Sequence, residues 1–343
     1  MVKKMMKHDI LWAELEAEVA KTTGQGTLKR MIGTRKTCLM FLGIQQPGKK
    51  RVFILQTPKD SAPLPEVIPG SKGLDFKALI VGDEVQDDHV SLMLSASKTD
   101  YNDIFASIAD DLFSKLNELE SRQEIVSTFL NRVLLWQAFF EKQGTEGLSE
   151  DAQKGLYGEL FFFKNHILSE FSGEAPLRYW LGSQKRQHDF QFGPISVEVK
   201  TTSAKQHQKL HIASEQQLDE TLVQRLYLFY LSVSLVQNSG DTLLTIIDDI
   251  RDMLCDNRSA LELFNSILLE RGYLDIHRHL YEHTGYSIRN SGFFLITDDF
   301  PRIREKELRK GVGDVKYSIE VDVCSSYAIH ESEFLTSLRE TLQ

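Results

Sequence analysis

The chain of 343 residues is 41% hydrophobic and 26% charged, with a formal net charge of −9 and three cysteines. This composition excludes a disordered chain and a disulfide scaffold. The acidic balance excludes a protein that coats nucleic acid over its whole surface, though not one with a local basic groove.

The first residues, MVKKMMKHDILWAELEAEV, are basic without an apolar h-region, and acids follow at once, so no signal peptide is read. Ile10, Leu11, Leu15 and Val19 fall near helical spacing and predict a helix over 9–20. Short apolar runs then begin at Thr37, Arg51, Ala78 and Val90, separated by Gly, Pro, Asp and Lys clusters. They predict a β-rich domain over 1–98, with a long exposed loop from Thr57. YNDIFASIADDLFSKLNEL and EIVSTFLNRVLLWQAFFEKQ have apolar residues at i, i+3, i+4 and i+7, which predicts a helical linker over 99–144. A third helix follows, SEDAQKGLYGELFFFKNHILSEF, with Ser149 as N-cap and two acids in its first turn.

From there the texture is short strands and turns: RYWLG, HDFQF, a Gly193-Pro194 turn, ISVEVKTT and KLHIAS. SEQQLDETLV reads as a helix capped by Ser214, and RLYLFYLSVSLV as a buried strand too short to cross a bilayer as a helix. This gives a core over 145–236. The C-terminal region, 237–343, reads as an α+β extension that adds strands to the core sheet. It has helical patterns at 241–255 and 259–272, strand-like GFFLIT and KYSIEVDVCS, and a short helix from Glu331. No CxxC pair, internal repeat or Walker A pattern is present, and the sparse cysteines fit a reducing, cytoplasmic setting.

Three D/E-x-K triplets occur: Asp75-Phe76-Lys77, Glu198-Val199-Lys200 and Asp314-Val315-Lys316. Such a triplet is usually a pair of solvated strand charges. On a strand, Ser196, Glu198 and Lys200 share one face, and Ile195, Val197 and Val199 share the other. Asp189 lies upstream across the Gly-Pro turn, where a hairpin would set it beside Glu198. Two such carboxylates repel unless a cation joins them, and hard oxygen ligands suit Mg²⁺. Glu159 supplies a third acid from the preceding helix, and Gly155 and Gly158 flank it, allowing close approach of helix and sheet. The other two triplets lack such company. Asp314 follows KGVG in a turn, and Asp75 sits in a loop-rich region without supporting acids.

Glu159, Asp189 and Glu198-x-Lys200 on a helix-strand-strand order resemble the PD-(D/E)XK nuclease superfamily. GLYGEL, WLG at Trp180 to Gly182, HDF, VEVKTT and HIASEQQL are similar to an uncharacterised bacterial PD-(D/E)XK family, whose members tend to be encoded in restriction or phage-defence gene clusters. The resemblance is carried by about residues 145 to 235. It implies a restriction-endonuclease-like α/β core of helix, mixed β-sheet, helix and strand. It also implies that Asp189, Glu198 and Glu159 bind Mg²⁺, with Mn²⁺ able to substitute, and that Lys200 positions the attacking water. Gln217 or Gln216 would support the site. His188 stands where the superfamily name has Pro, a position that varies.

From Gln184 to Lys209 the basic residues are Lys185, Arg186, Lys200, Lys205 and Lys209, and the only acids are Asp189 and Glu198. Lys185, Arg186, Lys205 and Lys209 are therefore candidate phosphate contacts. The first 51 residues are also rich in Lys and Arg, which serve equally to grip DNA or to form a solvated face. His188 and His211 read as hydrogen-bonding neighbours, and Trp180 as a packing residue. The expected function is Mg²⁺-dependent endonucleolytic hydrolysis of DNA within a bacterial restriction or phage-defence system. The alternatives are a non-catalytic DNA-binding or assembly subunit, or action on RNA or repair intermediates. Expected partners are DNA, an ATPase, helicase or methyltransferase, and a second copy of the chain.

Overall fold

The computed structural model describes residues 8–36, 38–59, 73–81, 89–143, 146–180 and 187–342. The chain divides into two compact units, residues 1–147 and 148–343.

The first unit opens with helix α1 (Asp9–Val19), which buries Trp12, Leu15 and Val19. Five strands follow: β1 (Gly26–Arg35), β2 (Cys38–Gln46), β3 (Lys50–Pro58), β4 (Leu74–Val81) and β5 (His89–Ala96). They form an antiparallel sheet in the order β1-β2-β3-β5-β4. Helices α2 (Asn102–Leu116) and α3 (Arg122–Gln143) complete the unit. The segment expected as a linker over 99–144 thus lies wholly inside the first unit. Its apolar stripe explains why. Ile104, Phe105, Ile108, Leu112 and Phe113 are buried on one side of α2, and such a stripe needs a sheet to cover it. Asp111 ties the two helices by accepting from Arg132 Nε at 2.9 Å and from Trp136 Nε1 at 2.9 Å.

Several basic residues of this unit are already engaged. Arg30 pairs with Glu18 at 2.5 Å, Arg51 with Glu16 at 2.7 Å, and Lys36 with Glu120 at 3.3 Å. Lys50 is 3.4 Å from Asp75, so the first D/E-x-K triplet lies on β4 as part of an ordinary ion pair.

The second unit begins with α4 (Glu150–Phe162), whose N-cap Ser149 accepts from Ala152 N at 3.3 Å. A π-helical turn, Phe163–Ile167, extends it. There follow α5 (Ala175–Trp180), β6 (Phe190–Phe192), β7 (Ile195–Thr202), β8 (Lys209–Ile212), a 3₁₀ turn (Glu215–Leu218) and β9 (Arg225–Gln237). The chain continues through β10 (Asp241–Thr242), α6 (Leu243–Met253), α7 (Arg258–Glu270), β11 (Thr284–Leu295), β12 (Tyr317–Glu320), β13 (Ala328–Ile329) and α8 (Glu331–Leu342). The main sheet runs β10-β11-β9-β7-β6, with β13 also on β11. It is mixed: β7 lies parallel to β9, and the other pairs are antiparallel. The expected boundary at 236/237 therefore falls within a sheet, because β10, β11 and β13 continue it.

Two core layers cover the sheet. On one face α4, α6, α7 and α8 pack over Ile195, Val197, Val199, Phe229 and Phe293. On the other, the β8–β12 ribbon and Leu218 pack over Leu226, Leu228 and Tyr230.

Two expected elements differ. RYWLG is not a strand; Tyr179 and Trp180 end α5, which buries Leu177 and Trp180 at helical spacing. Pro176 fits its first turn, where a missing N–H costs nothing. The helix expected from Ser214 is a single 3₁₀ turn. The Asp219 carboxylate then accepts from the backbone N–H and hydroxyl of Thr221, which diverts the chain from helix.

Candidate active site

The β6–β7 hairpin carries the first part of the site. Gly193, at φ +60°, supplies the left-handed turn residue. The register pairs Phe190 with Val197 and Phe192 with Ile195. One step further brings Asp189 opposite Glu198. Its Oδ2 accepts the backbone N–H of Val199 at 2.9 Å, which pins the carboxylate to β7 at the edge of the sheet.

Glu198 is only 1% exposed, although the alternating pattern allows a solvated face. Its Oε1 faces Lys200 Nζ at 2.6 Å as an ion pair, and its Oε2 accepts no hydrogen bond. Burial, and next the charge of Asp189, push the Glu198 carboxyl up to about 8 against the pull of Lys200. Burial acts to lower the Lys200 ammonium, but Glu198 and Asp189 outweigh it and raise it. The same Nζ donates to Gln217 Oε1 at 3.0 Å, and that oxygen also accepts Ala213 N at 2.8 Å. Gln217 thus fixes the ammonium from the 3₁₀ turn. Gln216 is exposed, and its backbone N–H bonds to Ser214 Oγ.

Glu159 arrives from α4. A Cβ on Gly158 would overlap Thr201 Oγ1, so a glycine there lets α4 lie against β7. Gly155 has open space around it and does not share that role. Glu159 Oε2 accepts from Trp180 Nε1 at 2.8 Å. The Trp180 ring is fully buried and stacks on Phe163 and Phe190, so its N–H is aimed rigidly. Burial drives the Glu159 carboxyl up to about 7, with Arg271 opposing and Asp189 adding to the rise.

Arg271 was not foreseen. Its Nη2 is 3.1 Å from Glu159 Oε2, and its Nη1 is 3.8 Å from Asp189 Oδ1. In sequence it is one basic residue before a helix-ending glycine, and nothing distinguishes it from the many that complement a helix C-terminus.

His188 is buried, with Nε2 unpartnered, and burial lowers its pKa. His211 lies exposed on β8 and bonds Ser318 Oγ at 2.8 Å. Lys205 is exposed in the loop after β7, and Lys209 is exposed 4.0 Å from Glu320. Lys185 and Arg186 lie outside the described residues. Asp314, at φ +54°, lies in the irregular segment before β12, and the neighbouring Val315 N donates to Glu215 Oε2. The third triplet therefore has a structural setting.

Among the described residues, no three His, Cys, Asp or Glu side chains are grouped closely enough to hold a metal ion as they stand. The donor chemistry nevertheless fits a divalent cation. Glu159, Asp189 and Glu198 offer hard oxygens, and Glu198 Oε2 is buried without a partner. No helix among the described residues is long and apolar enough to cross a membrane.

The model of the family DUF4420, described as "Putative PD-(D/E)XK family member", matches residues 9–322. No curated protein and no solved structure matches the chain.

Proposed function

We infer a nuclease because the chain belongs to this PD-(D/E)XK family and its mixed α/β second unit is consistent with a restriction-endonuclease-like fold. On that premise we propose that it is a Mg²⁺-dependent endonuclease acting on DNA, serving a bacterial restriction or phage-defence system. The observation that carries the reading is a buried Glu198 carboxylate with one oxygen ion-paired to a fixed Lys200 ammonium and the other without a hydrogen-bond partner.

Glu198, Asp189 and Glu159 would hold the cation, which when bound supplies Lewis acidity to the scissile phosphate and acidifies a water. The protein's own residues do the positioning. Gln217 holds Lys200 in one orientation, so its ammonium can present a proton donor to a phosphate oxygen or orient a water lone pair. Asp189, locked to Val199 N through Oδ2, leaves Oδ1 toward Arg271 at 3.8 Å. Trp180 fixes Glu159. Lys205 and Lys209, exposed on the segment leaving β7, suit backbone phosphates of a duplex. A second copy of the chain would supply the second cut of a duplex.

The test is purified protein with Mg²⁺ on methylated and unmethylated plasmid, with Lys200→Ala as control. Nicking or linearisation by the wild type alone is expected. Equal cleavage by Lys200→Ala would refute the assignment. Cleavage of RNA but not DNA would move the substrate.

A further inference from the structure

The acidic cluster contains its own cation. Arg271 caps the end of α7, where Gly272, at φ +88°, turns the chain away. From there the guanidinium reaches Glu159 on α4 and faces Asp189 beside β6. It also lies over the Trp180 ring, 5.8 Å from the centroid, and Trp180 donates to the same Glu159 oxygen. One side chain thus ties together two carboxylates that come from different elements.

A guanidinium keeps its charge at every pH the fold survives, and its planar fork satisfies carboxylates directionally. A divalent ion needs the same oxygens and repels the same charge. The two occupants exclude each other. Arg271 retains 26% of its side-chain surface exposed, so one side of it already meets solvent.

We propose that Arg271 is a built-in competitor of the divalent ion, holding Glu159 and Asp189 in the metal-free protein and withdrawing when they ligate a metal. The inference rests on the nuclease reading and deepens it, because it makes metal loading a regulated step of that site.

The experiment is calorimetric titration of Mn²⁺ into the full chain, comparing wild type, Arg271→Met, Arg271→Lys and Glu198→Gln, with a thermal melt of each. Methionine keeps the apolar cover over Trp180 and removes the charge. Arg271→Met should bind Mn²⁺ at least ten times more tightly than wild type. Arg271→Lys, which retains a charge but not the fork, should fall between them. Mn²⁺ should also raise the melting temperature of Arg271→Met by more than it raises the wild type. Unchanged or weaker Mn²⁺ affinity in a folded Arg271→Met, or in Arg271→Lys if the methionine variant does not fold, overturns the proposal alone. Glu198→Gln separates the two ideas. If it binds Mn²⁺ as well as wild type, the nuclease reading fails and this proposal falls with it.

Discussion

Replacing Glu198 with glutamine tests whether this carboxyl is a burden to the fold that a cation relieves. In the folded protein its pKa is pushed up to about 8, from 4.5, chiefly by burial. Below pH 4.5 the carboxyl is protonated in both folded and unfolded chains and contributes nothing to the pH dependence. Between 4.5 and 8 the unfolded chain releases the proton and the folded chain keeps it, so stability falls as pH rises. Above 8 the loss is complete. Each unit is about 1.4 kcal/mol, so the full window is about 5 kcal/mol at most, reduced by water penetration to about 2 to 5. Glutamine keeps the shape and cannot titrate. The assay is urea unfolding of both proteins in EDTA from pH 5 to 9. The stability of Glu198→Gln minus that of wild type should grow by about 2 to 4 kcal/mol over this range, because titrating groups outside the cluster cancel in the difference. Saturating Mg²⁺ should shrink the gap by stabilising only the wild type. Curves that stay parallel within about 0.5 kcal/mol would refute the reasoning.

Lys200→Ala should lower the cleavage rate by about 10²-fold or more while circular dichroism keeps the native shape, since it removes a positioned charge and not a core side chain. Gln217→Leu should lower stability by about 1 to 3 kcal/mol, because Ala213 N and Lys200 lose their shared acceptor, and should also reduce cleavage. Gln216→Ala, at an exposed position, should stay within about 0.5 kcal/mol of wild type in the same unfolding assay. Gly158→Ala should cost about 1 to 3 kcal/mol through overlap with Thr201 Oγ1, and adding Thr201→Ala should recover part of that loss in a double-mutant cycle.

What the sequence made legible was local. Ser149 with two following acids announced α4, and the Gly193-Pro194 pair announced a hairpin that sets Asp189 across from Glu198. Both signals act within a few residues, through capping and turn geometry. The burial of Glu198 was not legible in β7 itself. Alternation along β7 names the face but not what lies over it. The choice between Gln216 and Gln217 had the same origin. It depends on the phase of a single 3₁₀ turn that the sequence presented as a longer helix. Trp180 was read as packing, which it does, yet its indole N–H also aims Glu159.

Charge balance links these features. Three carboxylates, Glu159, Asp189 and Glu198, face two fixed cations, Lys200 and Arg271. Fully ionised, the cluster carries one net negative charge. Burial opposes that state, so the raised carboxyl pKa values keep protons in it near neutral pH. A divalent ion that displaces Arg271 from the ionised cluster would leave it neutral, three carboxylates against Lys200 and the metal. Arg271 supplies one positive charge in advance but holds it in a fork that fills Glu159 and faces Asp189. A fold selected for stability alone would replace Glu198 with an apolar residue, since Oε2 gains no hydrogen bond and the ion pair is desolvated. Acids that cost stability where they stand, arranged around a lysine held by glutamine, are what the proposed nuclease site requires.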